Sequence, residues 1–255
     1  MIVTWLATKL LFFPIKSISF YPSQMETPYE EVRFKNDEGL LLHGWFFPGT
    51  KPDRTLLFLH GNAGNIGDRL DHIKQLLKIG WNIFIFDYRG YGGSEGSPSI
   101  EGLQKDTDAA YRWLVSGKEG TKFLPEQIVV WGESLGGAYA TDLATREPLR
   151  ALILQSTFTS LHDIAQTHYP FIPKPIVPDI YRSIDKVRKI RSPLLVIHGT
   201  SDETVPFWMG KKLFESAPHP KRFYEVKEAL HNNGYEIGKK EYLSQIEVFL
   251  NEAGF

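Results

Sequence analysis

The sequence predicts an α/β fold in which a mainly parallel sheet is covered by helices on both faces. Three observations predict it. From residue 55 onward, short apolar runs rich in β-branched and aromatic residues alternate with stretches of helical apolar spacing. The runs are continuously apolar instead of alternating, as strands buried on both faces are. Several of them end in loops of small, polar and charged residues, such as His60-Gly61-Asn62 and Thr200-Ser201-Asp202. In open sheets of this kind ligands bind beyond the carboxyl ends of the strands, so these loops are expected to gather in one place.

Composition narrows the function classes. The chain has 255 residues, 42% hydrophobic and 23% charged, which suits a globular domain with a substantial core. It has no linker-like stretch, charge block or internal repeat. One domain over residues 29–255 is expected, preceded by an apolar helix and linker over residues 1–28. A net charge of −1 leaves no basic footprint for nucleic acid. The lack of cysteine removes thiol nucleophiles, disulfides and cysteine-bound metals. Neither His-Glu-x-x-His nor a phosphate-cradling Gly-x-x-x-x-Gly-Lys-Ser/Thr occurs, so neither a metal nor a cofactor is expected.

The elements follow in order. Residues 1–13 are almost wholly apolar, broken by two threonines and Lys9. They are too short for a confident membrane span, which needs about 20 residues. They read as a helix docked on the domain, as an anchor on a membrane surface or as an uncleaved signal-anchor, ending at Pro14 and Pro22. Residues 30–34 and 40–47 flank Asn36-Asp37-Glu38-Gly39 and form a hairpin. Residues 55–59 form a buried strand ending at His60-Gly61-Asn62. Leu70, Ile73, Leu76 and Leu77 then mark a helix. A strand over 81–86 leads into the loop at Asp87, and a helix covers 100–115. The strand from Ile128 runs into Gly132-Glu133-Ser134-Leu135-Gly136, followed by a helix-compatible stretch over 138–145. Another strand covers 151–154. Residues 158–186 break the rhythm with four prolines and the aromatics Phe158, Tyr169, Phe171 and Tyr181. They read as a small apolar cap, suited to an acyl chain. The sheet resumes at 194–197, a helix covers 207–216, the last strand 222–226, and a closing helix 236–251.

Gly-x-Ser-x-Gly between a buried strand and a helix is a nucleophile turn. The serine is pushed into a strained conformation that exposes its hydroxyl, and the helix N-terminus behind it favours a developing oxyanion. Ser134 is the candidate nucleophile and the N–H of Leu135 one candidate oxyanion donor. A serine hydroxyl needs an imidazole to take its proton and a carboxylate to hold that imidazole. In a strand-turn-helix architecture the order is serine, acid, histidine. The chain offers Ser134, Asp202 and His231, each in a loop after a strand. Glu203 is the neighbouring alternative acid, but Asp202 sits nearer the strand end. His60 and His198 precede glycines at strand ends, where structural hydrogen bonding is expected, while His162 and His168 fall in the cap. The second oxyanion donor is expected from Asn62, with Ala63 next. Each preorganised donor is worth about 3–4 kcal/mol in the transition state.

These motifs resemble the alpha/beta-hydrolase superfamily over about residues 30–250. His60-Gly61-Asn62-Ala63-Gly64-Asn65 and the run from Asp87 to Ser99 are similar to one branch in particular: small, often membrane-associated serine hydrolases, including protein depalmitoylases and bacterial relatives. Gly132-Glu133-Ser134-Leu135-Gly136, His198-Gly199-Thr200-Ser201-Asp202 and Ala229-Leu230-His231-Asn232 match that branch's nucleophile, acid and base motifs. The resemblance implies ester or thioester hydrolysis through an acyl-enzyme, on a small-molecule or lipid-like acyl ester, in the cytoplasm or at a membrane. The N-terminal cysteine cluster that is palmitoylated in the animal depalmitoylases is absent, which counts against protein depalmitoylation. A peptidase or acylaminoacyl-type hydrolase shares the same triad, and a non-catalytic scaffold shares the fold. The sequence sets no oligomeric state.

Overall fold

A strand with no polar face is stable only where both of its faces are covered, and the central strands here are buried along their whole length. The computed structural model describes residues 11–116 and 123–254. The chain divides into two compact units, Met1–Ile128 and Val129–Phe255.

In the first unit the longer strands are β2 (Glu30–Lys35), β3 (Leu41–Phe47), β4 (Lys51–Leu59) and β6 (Trp81–Asp87); β1 (Phe13–Pro14) and β5 (Ala63–Gly64) are two-residue strands. Among the described residues, its longer helices are α1 (Leu70–Leu76) and α2 (Ile100–Ser116). The expected hairpin forms: β2 and β3 pair antiparallel, with Glu30 opposite Phe46 and Lys35 opposite Leu41. Its turn is held by Asn36, whose Oδ1 accepts the N–H of Glu38 and of Leu40, each at 3.0 Å. β3 pairs antiparallel with β6, and β6 pairs parallel with β4. β4 begins four residues before the expected Thr55, because Lys51 already pairs with Trp81 ahead of a register shift. Asn82 Nδ2 spans the irregular stretch, donating to the carbonyls of Pro52 and Arg54 at 2.9 and 3.0 Å. A proline and an aspartate in a row gave no strand signal there. α2 lays Trp113 against Phe84, Phe34 and Phe46, so this part of the core is aromatic.

Residues 1–10 of the expected N-terminal helix lie outside the described residues. Beyond them, Phe13–Pro14 pairs parallel with Ala63–Gly64. Among the described residues, no helix is long and apolar enough to cross a membrane.

The second unit is a parallel sheet in the order β7 (Ile128–Glu133), β8 (Ala151–Gln155), β9 (Leu194–Gly199) and β10 (Lys221–Val226). All residues of β7, β8 and β9 are buried. Five helices belong to it: α3 (Leu135–Arg146), α4 (Leu161–His168), α5 (Ser183–Lys186), α6 (Phe207–Ser216) and α7 (Gly234–Glu252). The chain reverses through a helical or looped segment between neighbouring strands, so the carboxyl ends of all four strands point the same way. Segment 158–186 carries α4, a 3-10 turn at Lys174–Ile176, and α5. It is tied to the rest of the unit by Tyr181, whose hydroxyl meets that of Tyr139 on α3 at 2.6 Å, and by His168 Nε2, which lies 2.7 Å from the carbonyl of Thr204. Phe158 is buried, whereas Tyr169, Phe171 and Ile176 are exposed.

Candidate active site

Three loops at the carboxyl ends of β7, β9 and β10 build the site. The first has almost no length: β7 ends at Glu133, α3 begins at Leu135, and Ser134 alone makes the corner. Ser134 takes φ 52° and ψ −115°, a conformation that L-residues avoid and that the surroundings must enforce. They do so from both sides. Ser134 N–H donates to the Gln155 carbonyl at 2.9 Å, and its own carbonyl accepts from Thr157 Oγ1 at 2.7 Å. Gly132 permits the tight corner, since a Cβ there would stand 2.5 Å from Gly137 Cα and 2.7 Å from Ala140 Cβ. Leu135 is the first residue of α3, so its N–H belongs to the helix start, where no helical carbonyl takes it and the dipole is positive.

The acid and base loops are stitched together. Thr200 N–H donates to the Val226 carbonyl and Ser201 N–H to the Ala229 carbonyl, each at 3.0 Å, while Glu228 N–H donates to Thr200 Oγ1 at 2.8 Å. This brings Asp202 and His231 face to face. His231 Nδ1 lies 3.0 and 2.9 Å from the two Asp202 oxygens. A carboxylate only accepts, so Nδ1 carries the proton and Nε2 the lone pair. Nε2 lies 3.1 Å from Ser134 Oγ, positioned to accept the hydroxyl proton. Ser134, His231 and Asp202 thus form one unbroken hydrogen-bonded line.

Asp202 is 8% exposed. Burial alone would raise its pKa, but hydrogen bonds from His198 and His231, the charge interaction with His231 and the Val205 N–H outweigh that and hold the carboxyl well below the usual range. Oδ1 also accepts the Thr204 and Val205 N–H groups at 3.0 and 2.7 Å. The neighbouring carboxylate of Glu203 takes a different part of the same histidine: its Oε2 accepts the backbone N–H of His231 at 3.2 Å. Glu203 therefore braces the main chain while Asp202 holds the ring, a division that the sequence order of two adjacent acids does not reveal. Thr157 and Gln155, which pin the Ser134 backbone, also carried no motif that could have marked them.

Asn62 belongs to the first unit, in the loop after β4. Its side chain is engaged there: Nδ2 donates to the Leu11 carbonyl at 2.6 Å, and Oδ1 accepts from Tyr91 Oη at 3.1 Å. Of the other histidines, His60 Nδ1 donates to the Gly61 carbonyl at 2.7 Å and His162 Nε2 to that of Val177 at 2.6 Å, while His72 packs edge-on against Phe58. Among the described residues, no group of three or more His, Cys, Asp or Glu side chains is arranged to hold a metal ion.

Known proteins bear on this geometry. The family model described as serine aminopeptidase, S33, matches residues 50–180. An uncharacterized protein of Mycobacterium tuberculosis is 36% identical over 247 residues, covering 96% of this chain and 87% of its own length. The alpha/beta hydrolase domain-containing protein WAV2 of Arabidopsis thaliana is 34% identical, covering 92% of this chain and 84% of its own. The alpha/beta hydrolase domain-containing protein 17B of Xenopus tropicalis is 39% identical over 78% of this chain and 66% of its own. Among solved structures, an esterase of Pyrococcus furiosus superposes with a TM-score of 0.78 at 20% identity, over 95% of this chain and 97% of that one. A puromycin-hydrolyzing peptidase of Mycobacterium tuberculosis superposes with a TM-score of 0.70 at 16% identity, over 90% of this chain and 40% of that one. At such identities these two likenesses concern the fold alone.

The Asp202 carboxyl gives a pH signature with a defined sign. Its folded pKa lies below the unfolded value of about 3.9, so its ionised form stabilises the fold in full above that value, and the contribution is lost as pH falls from there toward the folded pKa. Urea unfolding of the parent chain and Asp202→Asn should show a stability gap that is constant near neutrality and narrows once pH drops below about 4. A gap that widened in acid would contradict the assigned hydrogen bonding.

Proposed function

The chain belongs to the alpha/beta-hydrolase superfamily, and on that premise we propose that it is a serine hydrolase cleaving carboxylic ester or thioester bonds of apolar acyl chains through an acyl-enzyme. The hydrogen-bonded line from Ser134 Oγ through the His231 ring to the Asp202 carboxylate carries the proposal. Ser134 Oγ attacks the carbonyl carbon as His231 Nε2 takes its proton. The imidazolium keeps its Nδ1–H on Asp202, whose buried negative charge stabilises the new cation. The oxyanion of the tetrahedral intermediate meets the Leu135 N–H at the start of α3. On collapse the bond to the alkoxide or thiolate breaks, and Nε2–H protonates the leaving group. Water then gives a proton to Nε2 and attacks the acyl-serine. The second collapse releases the acid and returns the proton to Ser134.

The apolar character of the acyl group is supported by segment 158–186, where Tyr169, Phe171 and Ile176 are 53%, 79% and 66% exposed, far more than such side chains usually are. A second reading, an aminopeptidase or acylaminoacyl hydrolase, is favoured by the description of the matching family model. Both readings use the same relay and differ in the leaving group. Attachment to a lipid surface through residues 1–13 is part of the same proposal. It is supported by the apolar run and by its continuation in exposed Phe13, Ile15 and Phe20.

A fluorophosphonate probe should label the chain at one position, and Ser134→Ala should abolish labelling and lower kcat on p-nitrophenyl esters by about 10⁶-fold. Labelling that persisted in this variant would refute the nucleophile. Across p-nitrophenyl esters of increasing acyl length, kcat/KM should peak at a medium or longer chain and exceed that for aminoacyl p-nitroanilides. Turnover of the amides alone would favour the peptidase instead. In a flotation assay the full chain should rise with liposomes and a chain lacking residues 2–10 should not; equal behaviour of the two would remove the lipid-surface element.

A further inference from the structure

We propose that His198 is a positioning residue for the reaction, a second imidazole on the Asp202 carboxylate that holds it in place for His231. The inference rests on the serine-hydrolase reading, since Asp202 is the acid of that relay. His198 sits in β9, four residues before Asp202, with its side chain fully buried. Its Nε2 lies 2.8 Å from the Val205 carbonyl and 3.3 Å from Asp202 Oδ2. Both neighbours are acceptors, so Nε2 carries the proton and is shared between them, with the shorter leg on the carbonyl.

The other ring nitrogen fixes this tautomer. Nδ1 is buried and has no hydrogen-bond partner among the described residues. It faces α6 at Gly210, where a Cβ would stand 2.2 Å from it, so the helix gives the ring its seat only because that position is glycine. A proton on Nδ1 would be a buried donor without an acceptor, which costs about 1–3 kcal/mol. Phe207 closes the seat edge-on, its ring centre 6.0 Å from that of His198. The acceptors at Nε2 and the unpartnered Nδ1 thus favour the same tautomer.

Two imidazoles thus approach one carboxylate with opposite nitrogens. His231 presents Nδ1–H and keeps Nε2 for Ser134, while His198 presents Nε2–H to the carboxylate and to the Val205 carbonyl. The arrangement divides the carboxylate. Oδ1 is fixed by the Thr204 and Val205 backbone, and Oδ2, 2.9 Å from His231 Nδ1, has His198 as its other donor. The Val205 residue ties the two ends together, since its N–H bonds Oδ1 and its carbonyl takes the His198 proton. Without His198, Oδ2 loses one of its two side-chain donors, and the hydrogen bond to His231 loosens.

The test uses His198→Leu, which removes the donor, and His198→Gln, whose Nε2 reaches a similar point. Each is measured in the full chain on a p-nitrophenyl ester and by ¹⁵N-histidine NMR. His198→Leu should lower kcat by about 10–100-fold, the scale on which outer-shell partners of a functional imidazole act, with KM within about twofold of the parent. It should also shift or broaden away the downfield proton of His231 Nδ1–H. His198→Gln should recover most of the kcat loss and return that resonance. Equal losses in the two variants, or an unchanged kcat and resonance in His198→Leu, would overturn the proposal. Should His198→Leu not fold, the parent spectrum decides: a His198 carrying its proton on Nδ1 sinks the inference. Failure of the parent to hydrolyse any ester would sink the serine-hydrolase reading instead, while the tautomers and the His231 resonance remain measurable without turnover.

Discussion

Burying a carboxylate costs several kcal/mol unless hydrogen-bond donors replace the water it loses, and the second unit is arranged around one that has been buried. Asp202 meets the N–H groups of Thr204, Val205, His198 and His231. Two come from its own loop, one from the strand before it, and one from a loop 29 residues further along the chain. The loop donors are available only if residues 202–205 turn tightly after β9. The His231 donor is available only if the loop after β10 folds back on that turn. The charge is therefore a constraint on backbone as much as on chemistry, and the ties between Thr200 and Val226, Ser201 and Ala229 satisfy it.

The same economy governs the serine. A residue at φ 52° carries strain, and here the strain is offset by hydrogen bonds on both sides of the residue and by the start of α3 directly behind it. The parallel sheet makes the meeting possible. With β7, β8, β9 and β10 side by side and in one direction, every strand delivers its following loop to the same edge, and register keeps Gln155 opposite Glu133 and Gly199 opposite Val226. Small side chains at the crossings then matter more than their chemistry suggests. Gly132 lets the strand touch the helix, and Gly210 lets a helix cover an imidazole. Segment 158–186 is built differently, with short helices, prolines and exposed aromatics, and it joins the acid loop through His168 and Thr204.

Legibility in the sequence followed the range of the interaction. The strands, the hairpin at Asn36 and the helix before Ser216 could be read because each depends on neighbours within a few residues. The start of β4 could not, since Lys51 becomes a strand residue only by pairing with Trp81 thirty positions away. Ser134 was legible because strand, corner and helix are contiguous. Glu203 stands beside Asp202 in the sequence as an alternative acid, and in the structure its carboxylate holds the His231 main chain. A place before a glycine at a strand end marks His198 for structural hydrogen bonding, yet nothing in the order of residues says that one of its neighbours is the Asp202 oxygen.

Apolar periodicity and turn chemistry are local properties of the chain, so they suffice to set the α/β class, the places where strands end, and the residue types available at those ends. Which hydroxyl, imidazole and carboxylate meet, and through which nitrogen, depends on long-range packing. Ser134 and His231 are 97 positions apart, and their 3.1 Å contact depends on strand pairings and loop closures that no single segment encodes. Proton positions follow from those neighbours: a neutral imidazole can carry its proton on either nitrogen until a carboxylate or a carbonyl selects one.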